Sequence, residues 1–317
     1  MSSRGWGTCY KTQLSLALNE ASTMPRRTST DWLLLLILSL IWGTSFLFTK
    51  VAVHATTPAT VVLGRVSIGA VTLTILLFAA GLRFPPAGKI WLHFLALGIM
   101  GNALPFFLIT WGQHGIDSGL AGILMAIMPL ATVLLAHLFV DGEPLTPRTS
   151  LGFLAAFAGI VVLMGPEALR ELGGGRSDVE HQAAVLAGAL CYAVNVVMAR
   201  RLPPTRALVV SAATLIAATL VMLGALTLQG DGLLAMLPSQ RSLPSVLWLG
   251  FVSTAAATIV YFRIIASAGA TFLSLINYFI PVIAVAAGTL LLGEGLEASA
   301  LLALALILGG VALSQRP

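Results

Sequence analysis

Apolar runs of about twenty residues recur along this chain, the length a helix needs to cross the hydrocarbon core of a bilayer. Trp32 to Val53 is typical, with Lys50 as its single charged side chain. Only 9% of the 317 residues are charged and 58% are hydrophobic, whereas a soluble domain carries roughly a quarter charged residues. So few charges cannot solvate a body of this size. Hydrocarbon must cover much of it, and backbone groups there are satisfied only in helices or closed barrels. A barrel would show alternating segments of about ten residues, and these runs are continuous. The expected fold is all-α and integral to a membrane, with the lipid bilayer as a partner.

Ten spans are expected, near residues 32–53, 58–81, 90–110, 117–139, 149–165, 183–201, 206–229, 244–266, 270–292 and 298–314. Pro85-Pro86, Asp141-Gly142, Pro203-Pro204 and Gly293-Glu294-Gly295 supply turn residues between them. With the N-terminus inside, twelve basic residues fall on the cytoplasmic side, from Arg4 and Lys11 to Arg263 and Arg316. Four, Lys50, Arg170, Arg176 and Arg241, fall outside. That bias predicts a multi-pass protein of the plasma or inner membrane with both termini cytoplasmic. It also accounts for the net charge of +5 without any nucleic-acid partner.

Residues 1–30 read as an N-terminal tail, either disordered or preceding a native start at Met24. Cys9 and Cys191 are too few for a disulfide framework and lack metal-ligand spacing, and no cofactor is expected.

The chain repeats itself. Met128-Pro129, then Gly142-Glu143, then Gly159 parallel Ile280-Pro281, Gly293-Glu294 and Gly309. Leu40-Ile41-Trp42-Gly43 likewise parallels Leu190-Cys191-Tyr192-Ala193. The halves are expected at 31–166 and 183–317, joined by a polar linker at 167–182. Five spans per half would invert one half relative to the other, the arrangement expected of alternating access with a site near the midplane.

These features together resemble the EamA-type branch of the drug/metabolite transporter superfamily. The resemblance rests on Ile41-Trp42-Gly43-Thr44-Ser45-Phe46, on Arg65, on the run from Gly98 to Leu120 with Met128-Pro129, and on the two Gly-Glu turns. It covers roughly residues 30–315. It implies ten helices in two inverted five-helix repeats and, often, export of amino acids or other metabolites. One departure matters: small multidrug members of the superfamily use a glutamate in the first helix for proton exchange, and this helix offers Trp42, Thr44 and Ser45 instead.

Arg65 is the leading site candidate, because an ionisable residue inside a span is functional by default and a guanidinium suits a carboxylate or phosphate. Snorkelling to the interface is the structural alternative. Asn102, Asn195 and Asn277 join it as amides that must face the bundle, contacting substrate or holding helices together. Trp42, Tyr192 and Tyr278 offer aromatic walls with a polar edge, beside Thr44 and Ser45. Pro129 and Pro281 each remove a mid-span hydrogen bond and are expected as hinges. Glu143 and Glu294 are expected to favour the start of the helix that follows each turn. No metal site, catalytic triad or phosphate-binding loop is present in the sequence.

The expected function is secondary transport of a small-molecule substrate, as an exporter of amino acids or other metabolites. A flippase for a lipid-linked or other amphiphilic substrate is the alternative. The glycine-rich fifth and tenth helices are expected at the periphery, with a homodimer through them left open.

Overall fold

The computed structural model describes residues 28–139, 147–170, 177–230, 236–295 and 297–314. They form helices joined by turns, and none of the described residues lies in a strand. We number the helices α1 (Ser29–Val53), α2 (Pro58–Ala79), α3 (Ile90–Gly115) and α4 (Ser118–Phe139). They continue as α5 (Pro147–Arg170), α6 (Ser177–Ala199) and α7 (Ala207–Leu228). The last are α8 (Leu243–Gly269), α9 (Ile276–Leu292) and α10 (Ala298–Ser314). Seven helices are long and apolar enough to cross a membrane, and apolar stretches within α5, α9 and α10 are shorter. The margins of the expected linker 167–182 are helical, through Arg170 and from Ser177. Glu143, its Gly142 and the tail before Thr28 lie outside the described residues.

Large apolar side chains point outward. Leu228 is 90% exposed and Leu290 80%, which hydrocarbon tolerates and water does not. The chain is a multi-pass membrane protein.

Local sequence sets the helix starts. Thr28 and Asp31 form a capping box on α1: Thr28 Oγ1 accepts from the Asp31 N–H at 3.2 Å, and Asp31 Oδ2 accepts from the Thr28 N–H at 2.8 Å. Thr57 caps α2, whose first residue is Pro58, placed where a missing N–H costs nothing.

Three helices widen into π geometry. Within α3, Ile99–Ala103 is a π-turn just before Pro105; α8 is π-helical over Trp248–Ala256, and α9 ends in one over Gly288–Leu292. The proline in α3 has no N–H to give the ladder, and the widened turn lies just before it.

Packing divides the bundle into neighbourhoods. Val62, Val66, Leu73 and Leu77 of α2 meet Val209, Leu215 and Met222 of α7. Leu35 and Leu38 of α1 pack with Ile264 of α8, Ile276 of α9 and Phe272 between the two. On another side α3 and the second part of α4 lean on α6. The fifth and tenth helices pair with each other: a Cβ on Gly310 would overlap the Gly152 carbonyl oxygen and stand 3.0 Å from the Ala156 nitrogen.

The two prolines occupy different settings, which revises the expectation of two equivalent mid-span kinks. The ladder of α4 tightens at Ala126 and Ile127, whose N–H groups donate to Ile123 and Leu124. Pro129 therefore sits in the first turn of a restarted helix, where it disrupts little. Pro281 lies inside the helix Ile276–Ala287.

Glu294 also departs from expectation: it caps α4, not α10. Gly293 turns the chain at φ 69° and the Glu294 N–H donates back to the Gly288 carbonyl at 3.1 Å. That turn sends the side chain sideways. Its Oε1 accepts from the Ser118 N–H at 2.8 Å, and its Oε2 accepts from Ser118 Oγ at 2.9 Å and the Gly119 N–H at 3.0 Å. The N-cap residue Asp117 makes no side-chain cap bond, so a carboxylate from another part of the chain supplies it. Partial desolvation, then the Glu294 carboxylate, raise the Asp117 carboxyl above its ordinary value, with Lys50 pulling it back.

Two outcomes are expected. Gly310→Leu should lower the melting temperature in detergent by several degrees, since overpacking costs about 1–3 kcal/mol, whereas Gly224→Ala, with no atom within 4 Å of its Cβ, should not lower it. Because Asp117 holds its proton more tightly folded than unfolded, stability falls as pH rises through its raised pKa. Thermal melts from pH 4 to 8 should find Asp117→Asn more stable than wild type at neutral pH, with the gap closing toward pH 4.

Candidate functional site

Two glycines let α2 approach α8 closely enough to place Arg65 inside the bundle. A Cβ on Gly64 would stand 2.5 Å from Val246, and one on Gly69 would stand 2.8 Å from Thr254. Between them Arg65 is 9% exposed. Its Nε donates to Thr254 Oγ1 at 3.0 Å, and its guanidinium lies 3.8 Å from the centroid of the Phe106 ring. Thr254 Oγ1 in turn donates to the Leu249 carbonyl, five residues back, at 2.8 Å. That bond follows the widened π ladder and fixes the hydroxyl that holds Arg65.

Electrostatics make this arrangement unusual. Among the described residues no carboxylate comes within ion-pair distance of Arg65. A desolvated cation without a counter-charge is costly, by several kcal/mol. One hydroxyl and one aromatic face, the latter worth about 2 kcal/mol when desolvated, offset only part of that. Tyr192 of α6 meets Phe106 edge-on at 6.3 Å, so α2, α3, α6 and α8 converge on the guanidinium.

Trp42 joins from α1. Its Nε1 donates to the Ser253 carbonyl at 3.1 Å, one residue before Thr254 on the same π stretch, and its ring lies 5.7 Å from that of Tyr261. The Ser253 hydroxyl is buried without a partner. Asn102 lies on the π-turn of α3. Asn195 of α6 abuts that turn so closely that a Cβ on Gly101 would stand 2.6 Å from its Oδ1.

The other candidates are engaged elsewhere. Thr44 Oγ1 donates to the Leu40 carbonyl at 2.6 Å, and Ser45 Oγ to the Trp42 carbonyl at 2.6 Å, both within their own helix. Asn277 Nδ2 donates to the Ser274 carbonyl at 3.0 Å, across the tightened turn that opens α9. Tyr278 packs against the cluster built from Ile123, Ile127 and Leu130 of α4. Sequence reasoning missed Phe106, Ser253 and Thr254. The signal for the last two was a polar pair in the run Gly250 to Ala257, and for Phe106 its position after Pro105.

The chain matches the model of the EamA-like transporter family twice, over residues 31–165 and 182–315. An uncharacterized inner membrane transporter of Escherichia coli K12, YedA, is 27% identical over 281 residues, covering 88% of each chain. A probable terminal-alkyne amino-acid exporter of Streptantibioticus cattleyicolor is 27% identical over 289 residues, 89% of this chain and 92% of its own. A crystal structure that is 24% identical superposes with a TM-score of 0.62, covering 91% of this chain and 97% of that one. With both family matches lying on the helices that build the Arg65 site, this chain is a membrane transporter belonging to the EamA-like transporter family.

Proposed function

We propose that the protein is a secondary transporter that exports amino acids or similar carboxylate-bearing metabolites by alternating access, with Arg65 taking the carboxylate. The observation that carries this reading is the buried guanidinium with no acid beside it among the described residues. A substrate carboxylate would supply the missing charge through a bidentate, charge-assisted pair, and leave with it. The exporter from Streptantibioticus cattleyicolor, named for amino acids, agrees with that chemistry. The aromatic side chains of Trp42, Phe106 and Tyr192 would bound the space around the rest of the molecule.

The architecture proposed is ten spans in two inverted repeats, 31–166 and 183–317, with both termini cytoplasmic. Support comes from helix pairing. Exchanging α1–α5 for α6–α10 maps the pairs α2–α7, α4–α9 and α5–α10 onto themselves, α1–α9 onto α6–α4, and α3–α6 onto α8–α1. The π-turn at 99–103 has a counterpart within 248–256. The tightened turns break the match: Ala126 precedes Pro129 by three residues, while Ser274 precedes Pro281 by seven. Corresponding helices bend about one turn apart, as halves in different conformations would. Pro281 is then the hinge candidate with a kink to move, and Pro129 marks a restart.

A lipid-linked phosphate would suit the guanidinium as well as a carboxylate does, so the choice of a soluble metabolite rests on the likeness to an amino-acid exporter. Efflux from cells given a panel of amino acids and dipeptides tests the proposal, with membrane abundance matched. Arg65→Ala should reduce export of the substrate by about 10- to 100-fold, the loss expected for one hydrogen-bonded charge pair, and Arg65→Lys should restore only part. Equal efflux by wild type and Arg65→Ala would sink the assigned role.

A further inference from the structure

The Gly-Glu turn after α9 has no part in the Arg65 site, yet its carboxylate joins two parts of the chain far apart in sequence. Glu294 reaches from the α9–α10 turn to α4 and accepts three hydrogen bonds there, two from backbone N–H groups and one from a hydroxyl. The fit is specific. A Cβ on Gly288 would overlap the carboxylate, and one on Gly119 would stand 3.1 Å from Val285 Cα. A small residue on each helix is what lets the carboxylate sit between them.

Two further bonds hold the same end. Lys50 Nζ of α1 donates to the Ile116 carbonyl at 2.8 Å, and Gln113 Nε2 of α3 donates to the Phe46 carbonyl of α1 at 2.9 Å. The α3–α4 turn is thus gripped from α1 and from the α9–α10 turn. Away from this end the partnerships differ. The second part of α4 leans on α6, whereas α1 is tied to α8 by Ser267 Oγ, which donates to Asp31 Oδ1 at 2.6 Å, and to the α8–α9 connection by the Trp32–Phe272 ring contact. The helices therefore sort into two groups, α1, α8 and α9 against α3, α4 and α6, which meet where α9 packs on α4, and Glu294 bridges them at one end of that contact.

We propose that Glu294 is the latch that holds this end of the transporter closed, so that its release precedes opening toward that side of the membrane. The proposal rests on the alternating-access reading above. Opening this end separates the start of α4 from the end of α9, and all three bonds to Glu294 are lost together. Bonds to an ionised acceptor are about twice as strong as neutral ones, which suits a contact that must decide between two states. The closed state also carries a counterweight, because the Gln113 amide oxygen is buried with no partner and gains water when the end parts. A strong latch set against an unmade bond keeps the two states close enough in free energy to interconvert.

Spin-label distances in nanodiscs test this without knowledge of the substrate, in full-length protein with Cys9 and Cys191 replaced by serine. One pair, His114→Cys with Gly295→Cys, reports the Glu294 end, and another, Pro204→Cys with Ala266→Cys, the opposite end. Glu294→Gln should raise the population of the long distance at the Glu294 end about tenfold, as expected for losing a charged acceptor, with reciprocal shortening opposite. Ser118→Ala, which removes one bond and keeps the carboxylate, should give a smaller rise of roughly threefold. Glu297→Gln, at an exposed side chain bonded to Ser299, should change nothing. Two distances whose ratio ignores Glu294→Gln and Ser118→Ala would overturn the latch alone. A single distance at both ends in every variant would overturn alternating access with it.

Discussion

Close approach of helix backbones is the constraint on which the rest of this structure depends. In lipid, apolar side chains gain nothing by leaving hydrocarbon for a protein interior of similar polarity, so van der Waals fit and polar bonds must hold helices together. Both need proximity. Gly64 and Gly69 bring α2 against α8, and without that contact the Arg65 side chain could not reach Thr254. Gly288 leaves room for the Glu294 carboxylate beside Ser118. Where the α5–α10 pair meets, Gly159 and Gly310 perform the same service: a Cβ on Gly159 would stand 2.9 Å from Ile307, and one on Gly310 would overlap the Gly152 carbonyl oxygen.

Departures from α geometry supply the second ingredient. A regular helix closes all its backbone bonds on itself and offers a bundle interior nothing polar except side chains. The π stretch of α8 is different. It lets Thr254 bond five residues back, holds Ser253 with its carbonyl toward Trp42, and presents both residues where α2 and α1 arrive. The π-turn in α3 is adjacent to Pro105 and carries Asn102. Widened turns often mark functional sites, and here two of them flank one buried cation.

The two halves share motifs but not helix geometry. Pro129 and Pro281 are matched in sequence, yet the ladder breaks at different distances before each. Arg65 has no counterpart in the second half, and its site is asymmetric in chemistry as well as in shape. Glu294 has a sequence counterpart in Glu143, outside the described residues, so only one of the two turns can be compared with its expected role. That role was wrong for Glu294 in an instructive way. A glutamate just before a helix suggests a favourable charge on that helix, whereas the left-handed Gly293 aims it at a different helix start, 176 positions away.

The sequence by itself determined the helical membrane class, the approximate place of each apolar run, the Pro and Gly-Glu repeat, and Arg65 as the charge that needed explaining. Those follow from hydropathy, length and the high cost of charge in hydrocarbon, all local or additive along the chain. Tertiary structure decided which polar groups meet. Trp42 and Tyr192 point toward the Arg65 region while Thr44, Ser45 and Asn277 satisfy themselves on nearby carbonyls, and Phe106 and Thr254 become partners of a residue far away in sequence. Hydroxyls and amides in an apolar helix can bond either to their own backbone or across the bundle, and both choices look the same in sequence. Only the distances between helices select one.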